Sequence, residues 1–534
     1  MKKWGIALGA LALLGGVAAF VIGVWVSRDA EPRLREELER WLSARLNSDV
    51  QLETLDVQLR PSLRVEGTNL VLRLKGRPDL PPFISIKRIS GTGGFTKMRA
   101  KRLNEVRLEG VEIVVPPGRK ADLEALRQAG RQAAATAAAE PSATGTDAGI
   151  PTMPEPPLVI ERLVTSSARL VVMARDADHD SQEWDIRDLV MEPFSLDAAA
   201  PFHATVDTPL PQDRAQVTGT VGPFPRGDFD QLPIVAEYTF AGDAGSVPGI
   251  DGRLEATGAI LGTLERLATN GTVTSAAIGL RGTSGGRLPM TTAFEAVLDG
   301  TNGDLVLTKV VTTLAESAFE TSGRVLRVKG TGGRHISLAV KTPSRADVAD
   351  VMRLLVDGAH PPLSGRLSLD GTLELPPGPA DVIARIAVAG AFRLTRARFA
   401  NSDVQGKVDD LSRRGQGKPS DETIARVPYD MRGQVQLRRQ QLTLSSIVFT
   451  APGASIDAAG SYGLASETLE FRGVATLGAA MSRTQTGARR FLLRPIDPLF
   501  RKGGAGTRLV VDVRGTKTTP VVDLDMGASL RGRK

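Results

Sequence analysis

Gly282-Thr283-Ser284-Gly285-Gly286 has the Gly-x-Ser-x-Gly spacing with which hydrolases hold a nucleophilic serine on a sharp strand-to-helix turn, near a histidine base. The neighbouring residues deny it that setting. Residues 275–281 before it and 287–297 after it look like two strands, so the motif is expected to be a glycine turn between them. Asp176, Asp178 and Asp180 have the spacing that opens a calcium loop. Ser181, however, stands where that loop needs glycine, and Arg187 where it needs a bidentate glutamate. A solvated hairpin tip is expected there instead. His179, His203, His335 and His360 fall in no metal-ligand spacing. The glycine-rich run 501–508 lacks the Gly-Lys-Ser/Thr that completes a phosphate loop. There is no cysteine, which excludes thiol catalysis, iron–sulfur clusters and disulfides. The basic residues Arg489, Arg490, Arg494, Arg501, Lys502, Arg508 and Arg514 could touch acidic headgroups or be the wet side of strands. Neither enzyme chemistry nor a cofactor is expected.

With catalysis set aside, the informative residues are apolar. In residues 363–375, Leu363, Gly365, Leu367, Leu369, Gly371, Leu373 and Leu375 alternate with Ser364, Arg366, Ser368, Asp370, Thr372 and Glu374. A period of two is that of a strand with one apolar and one wet face. Asp370-Gly371 would suit a hairpin turn, but pairing across it would put Leu367 opposite Glu374 and mix both faces. One strand of roughly 43 Å, bent at Gly371, keeps the parity unbroken. Two shorter strands in poor register are the alternative. The question is what lies against the apolar face.

The chain has 534 residues, 41 % of them hydrophobic but only 4 % aromatic, with 56 glycines. Its 67 basic and 60 acidic residues leave a charge of +7, too mild to argue for nucleic acid. Residues 4–26 are uncharged, preceded by Lys2 and Lys3. As a helix they reach about 34 Å, enough to cross a hydrocarbon core of about 30 Å. Trp4, Leu8, Leu11, Leu14, Val17, Phe20, Val24 and Trp25 are the expected membrane anchor, with tryptophans near both ends and the bulk of the chain outside the cytoplasm. A cleaved signal peptide competes, but its apolar region is usually shorter.

Residues 1–28 are thus read as a cytoplasmic tip and anchor, and 29–118 as a helix followed by a first β block. The helix has Leu34, Leu38, Trp41, Leu42 and Leu46 on one stripe, and is expected to cap an open sheet end. A change of parity at Gly110 marks a bulge or bend. Residues 119–157, rich in Ala, Thr, Gly and Pro, are read as a frayed helix and flexible linker. Residues 158–340 form a middle β region, and 341–534 a C-terminal β region that opens on a short helix striped by Val348, Val351, Leu354 and Leu355. The expected fold is mainly β, an elongated, twisted antiparallel sheet forming a groove in two β-rich blocks, with few short helices.

Residues 46–73, with Pro61 at a turn and Asn69 near the strand end, and stretches between 336 and 526 such as GAFRLTRARF, VDDLSRRGQGKP and RPIDPLFRKGGAGTRLVVDVRG, resemble the AsmA family of inner-membrane-anchored periplasmic proteins. Residues 160–330 add only generic β character. The resemblance implies a bridge-like lipid carrier whose sheet curls into a gutter lined with aliphatic side chains. It implies glycerophospholipids and the inner membrane as partners, with outer-membrane or envelope proteins as further ones, and a role in phospholipid transport and outer-membrane homeostasis. Leu363, Leu367, Leu369, Leu373, Leu375, Val435, Leu437, Leu442, Leu444, Leu509, Val511 and Val513 are the expected groove residues. Physics alone demands a cover for a lone sheet with one apolar face. The alternative function is an envelope assembly factor that chaperones outer-membrane proteins by strand pairing.

Overall fold

The computed structural model describes residues 35–58 in part, 63–74, 80–94, 102–115, 159–479 and 508–525, with short stretches inside these ranges excepted. The expected anchor (1–28) and linker (119–157) lie outside the described residues. Among the described residues no helix is long and apolar enough to cross a membrane.

The chain is mainly β, and nearly every strand pairs with its neighbour in sequence. β1 (Ser48–Gln58), β2 (Leu63–Leu74), β3 (Ile84–Gly93) and β4 (Arg102–Val115) open the sheet as an antiparallel meander. The free edge of β1 is covered by a helix, of which Arg35, Glu36, Glu39, Arg40 and Ser43 are described. Glu39 accepts from the Leu52 backbone N–H at 2.8 Å, and the Arg35 guanidinium donates to the Glu53 carbonyl at 3.0 Å. Side chains thereby satisfy groups that an edge strand otherwise offers to any passing strand. The sequence predicts capping by this stretch, but the stripe Leu34, Leu38, Trp41, Leu42 and Leu46 on which that expectation rests lies outside the described residues. Gly110 has φ +62, and the buried residues of β4 change parity there, from Val106 and Leu108 to Val111.

The strands form one mixed sheet, not the antiparallel sheet in two blocks that the sequence predicts. β5 (Val159–Thr165) and β6 (Ala168–Val172) lie one after the other beside β4 and parallel to it. A short turn cannot join parallel neighbours, so the crossover between β4 and β5 falls to the long stretch between them. β7 (Gln182–Met191) pairs with both, and the meander resumes through β8 (Ala200–Pro209), β9 (Gln212–Val221) and β10 (Pro233–Asp243). The short β11 (Ile250–Asp251) touches only the end of β13 (Arg266–Leu280), while β10 pairs β12 (Arg253–Thr263) and β12 pairs β13. β14 (Leu288–Asp299), β15 (Asp304–Leu314), β16 (Ser317–Arg327), β17 (Arg334–Lys341) and β18 (Leu363–Leu375) follow in order. β19 (Ala387–Phe399), β20 (Tyr429–Arg438), β21 (Gln441–Ala451), β22 (Ala454–Gly463), β23 (Thr468–Leu477), β24 (Arg508–Thr516) and β25 (Pro520–Asp525) complete one mixed sheet. At about 4.8 Å per strand its contour is roughly 100 Å.

β18 is one continuous strand with the expected bounds. Its irregularity is not at Gly371, which pairs squarely with Gly390, but at Gly365, where φ is +136 and the register to β19 slips. The slip recurs on the next strands, between Leu394 and Ala397 and between Leu444 and Ile447, with Arg396 and Ser446 at positive φ. A row of aligned bulges bends a sheet along a line.

Three helices are labelled: α1 (Val348–Leu355), as expected, α2 (Val382–Arg385), and the unexpected α3 (Ser402–Gly415). Asn401 caps α3 by accepting from Asp403 and Val404 backbone N–H groups.

The sheet winds as a ribbon. Gln182, at the start of β7, and Gly303, at the start of β15, belong to opposite rims according to the strand register. Yet they meet: the indole N–H of Trp184 donates to the Gly300 carbonyl at 3.4 Å, and Arg327 donates to the Ser181 carbonyl at 3.1 Å and to Gln182 Oε1 at 2.5 Å. The Gly330 N–H donates to Asp180 at 2.7 Å. A second such contact sets Gly249 and Gly282 against Asp381–Ile383, the start of α2. One rim of each turn therefore abuts the opposite rim of the next.

Candidate functional site

Directly paired residues of antiparallel strands share a face. Following the pairs across the C-terminal strands gives an unbroken apolar row, Leu338–Leu373–Val388–Leu437–Leu442–Tyr462–Leu469. The next row is Val340–Gly371–Gly390–Val435–Leu444–Gly460–Phe471–Val513–Val522. Leu375 faces Ile336, Leu369 faces Phe392, Leu367 faces Leu394, Leu363 faces Phe399, Val511 faces Gly473 and Leu509 pairs with Ala475. All twelve expected groove residues thus fall on one face of one sheet.

They are not equally open. Leu363, Leu367, Leu369, Val435 and Leu444 pack against a cluster of Val348 from α1, Val408 from α3, Phe392, Leu394, Tyr429 and Phe449. At this rim the two helices form part of the cover, a role that no local pattern announces for α3. Tyr429 is buried between Phe399, at 5.0 Å between centroids, and Phe449, at 4.5 Å. That burial pushes its phenol well above the usual range. Leu437 and Val511 are buried, whereas Leu373, Leu375, Leu442 and Val513 are half-buried. The opposite face carries Ser364, Arg366, Ser368, Asp370 and Thr372, all exposed.

Upstream the same face continues with smaller residues. β12 offers Ala256, Gly258 and Gly262, β13 offers Thr269, Gly271 and Ser275, and β14 and β15 offer Thr292, Ala296 and Thr312. Several glycines here lie under aromatic rings. A Cβ on Gly258 or Gly271 would strike the Tyr238 hydroxyl, and one on Gly433 would come 3.1 Å from the Phe392 ring. Rings seated on glycine lie low against the sheet. These glycines are functional candidates that alternation of apolar residues does not reveal, since glycine reads as neither apolar nor polar.

No family model matches the chain, and no curated protein matches it. The site must be argued from its own geometry.

The residues tested for chemistry are accounted for by structure. Ser284 lies in the turn between β13 and β14, where its hydroxyl donates to the Val356 carbonyl just beyond α1. Gly286 N–H donates to the Arg353 carbonyl at 2.7 Å, so the motif docks α1 onto the rim. Asp180 belongs to the rim contact, and Asp176, Asp178 and His179 lie outside the described residues. His203 pairs with Thr218 at 2.8 Å on the wet face, and His335 with Glu374 at 2.9 Å; His360 is outside the described residues. Among the described residues no group of acidic and histidine side chains could hold a metal ion. Arg514 is exposed on the wet face, while Arg489, Arg490, Arg494, Arg501 and Lys502 fall outside the described residues. The anchor residues Trp4, Leu8, Leu11, Leu14, Val17, Phe20, Val24 and Trp25 do so as well.

Proposed function

We propose that this chain is an AsmA-like, inner-membrane-anchored periplasmic protein that holds or moves glycerophospholipid between the two membranes of an envelope. One observation carries the proposal: an apolar face continuous in register along the sheet, half-buried over long stretches, over which the described residues place no second sheet. Each methylene taken from water is worth about 0.8 kcal/mol, so the roughly thirty of a two-tailed phospholipid cost on the order of 20 kcal/mol in water. A gutter of interchangeable aliphatic side chains removes much of that penalty without a deep specific well. A chain can then slide along it.

The resemblance in the anchor and C-terminal stretches supplies the envelope setting. The test is photocrosslinking in cells from a probe at Leu373 or Leu442, half-buried positions outside the helix-covered cluster. Capture of phospholipid is expected. Capture of neighbouring protein alone would sink the proposal.

A second reading, an envelope assembly factor that pairs with nascent strands, draws on one observation. The edge of β1 is capped, whereas among the described residues β25 pairs only with β24. It predicts that deleting the gene alters porin assembly while lipid distribution between the membranes stays unchanged.

A further inference from the structure

Arg327 and Arg334 face each other across β16 and β17, in the same parity as Val325 and Ile336. They therefore sit on the apolar face, at its rim. On that face they are the charged residues of β12 through β23; the other charges of those strands belong to the wet face. Both are partly buried. Two cations this close cost free energy unless an anion joins them. Among the described residues neither has a carboxylate within ion-pair distance; Asp304 instead accepts from the Arg327 backbone N–H at 2.9 Å. Arg327 uses one nitrogen, Nη1, on Ser181 and Gln182, and Arg334 uses Nη1 on the Gly303 carbonyl. The remaining guanidinium donors have no hydrogen bond among the described residues. Burial, and then the neighbouring Arg327 charge, lower the affinity of Arg334 for its proton, and the nearby Asp304 charge offsets this only in part.

We propose that Arg327 and Arg334 form a headgroup clamp that binds the phosphate monoanion or dianion of an amphiphile whose acyl chain lies on Val325, Ile336, Leu305 and Leu375. The proposal rests on the lipid-gutter reading and assigns the place on the sheet where the phosphate headgroup is held. Paired guanidiniums suit phosphate because their donors match its oxygens in a fixed fork. The site also lies where two turns of the ribbon meet, with Arg327 donating to Ser181 and Gln182 of the neighbouring turn. Headgroups are then held at the rim and tails below it.

The test uses the full chain and two fluorescent probes with the same acyl chain, a monoacylglycerol phosphate and the neutral monoacylglycerol. The phosphate probe is expected to bind about tenfold or more tightly, as charge-assisted hydrogen bonds require. The double variant Arg327→Gln/Arg334→Gln is expected to bring its Kd to that of the neutral probe while leaving the neutral probe's Kd unchanged. Gln182→Ala removes a contact between turns but keeps both charges, and is expected to preserve the preference. Inorganic phosphate should compete only weakly; competition at the probe's own affinity would mark a free-anion site and overturn the clamp. Equal affinity of the two probes for the unaltered chain would overturn it too, with the lipid reading left standing. Equal weakening of both probes in the double variant, accompanied by a lower Tm, would make the arginines a seam between turns and nothing more. Binding of neither probe would overturn both readings together.

Discussion

Two regions of the ribbon, one end and the middle, use one pattern and reach opposite results. In β1–β5 the apolar face is filled by its own side chains: Leu70 and Leu72 have no exposed surface, Ile84 and Ile86 are 1 % exposed, and Phe83 and Phe194 close over them. In β12–β17 the alternation is equally regular and Leu267, Ile278, Leu288, Val310 and Leu314 are buried, yet Ile260, Thr292, Phe294, Leu307 and Leu338 remain half-buried. Side-chain volume separates the regions. Leucine and isoleucine dominate the first, whereas glycine, alanine and threonine interrupt the second at Gly258, Gly271, Ala296, Thr312 and Gly323. Large residues fill the apolar face of the first region, and smaller ones leave that of the second partly exposed. Periodicity selects the face, and volume decides whether that face is occupied.

Truncation should separate the regions most strongly. Ile86→Ala leaves a cavity in a packed cluster and is expected to cost about 2–5 kcal/mol. Leu373→Ala removes as many carbons from a half-solvated position and is expected to cost about 1 kcal/mol or less. Urea unfolding monitored by circular dichroism measures both. Similar losses at the two sites would mean that the gutter is a closed core.

The helix-covered rim is expected to behave like the closed end for a different reason. Asp409 of α3 accepts from the backbone N–H groups of Arg426 and Val427, each at 2.8 Å, and from the Gln405 amide at 3.0 Å. Asp409→Ala strands these buried donors and is expected to cost about 3 kcal/mol, since each unsatisfied group carries a penalty of about 1–3 kcal/mol. Thermal unfolding would show it. An unchanged Tm would mean that α3 is held by its apolar stripe alone, and that the cover can lift from Leu363 and Leu367 cheaply.

Overpacking sharpens the contrast from the other side. Val106 has no exposed surface, so Val106→Phe is expected to cost about 1–3 kcal/mol. Thr292 and Thr312 are paired on the apolar face of β14 and β15, their hydroxyls 3.0 Å apart. Phenylalanine at both is expected to change stability by about 1 kcal/mol or less and to reduce copurifying phospholipid, read by mass spectrometry. Unchanged lipid content would place the lipid path elsewhere.

Much of this is legible in the sequence because a period of two is a local property. Residues 363–375 announce β18, and the stripe Val348–Val351–Leu354–Leu355 announces α1. The amphipathic residues before Ser48 announce a cap. The unread features depend on distant partners. α3 has Gly406 in its middle and only Val404, Val408 and Leu411 as an apolar stripe; its helix is held by Gln405, Asp409 and Ser412 bonding to residues 399, 426, 427 and 452. The parallel step at β4 depends on which strand returns after a long excursion. The rim contacts join Arg327 to Ser181 and Gln182, and no local pattern encodes that pairing. The twelve groove residues were identifiable as a face, but not which of them a helix would cover.

The smallest expected effect lies on the wet face, and it serves as the control for the others. Glu105 accepts from Arg107 at 3.0 Å and from Arg162 at 3.2 Å, and Arg162 also donates to Glu192 at 2.5 Å. The Arg107 hydrogen bond, opposed by burial and helped by Arg162, holds the Glu105 carboxyl below its usual range. A carboxylate with a depressed folded pKa contributes stability above the unfolded value of about 4.3 and loses it as pH falls through the folded value. Because the pair is largely solvated, that contribution is expected to be under about 1 kcal/mol. The stability difference between the unaltered chain and Glu105→Gln should be constant above about pH 5 and shrink as pH falls through the folded value. The charges sit outside the ribbon, so the same curve is expected whether the gutter is loaded with phospholipid or stripped of it. A curve that shifts on loading would show that the closed end feels the channel, and that the two regions are one cooperative unit rather than a plug and a conduit.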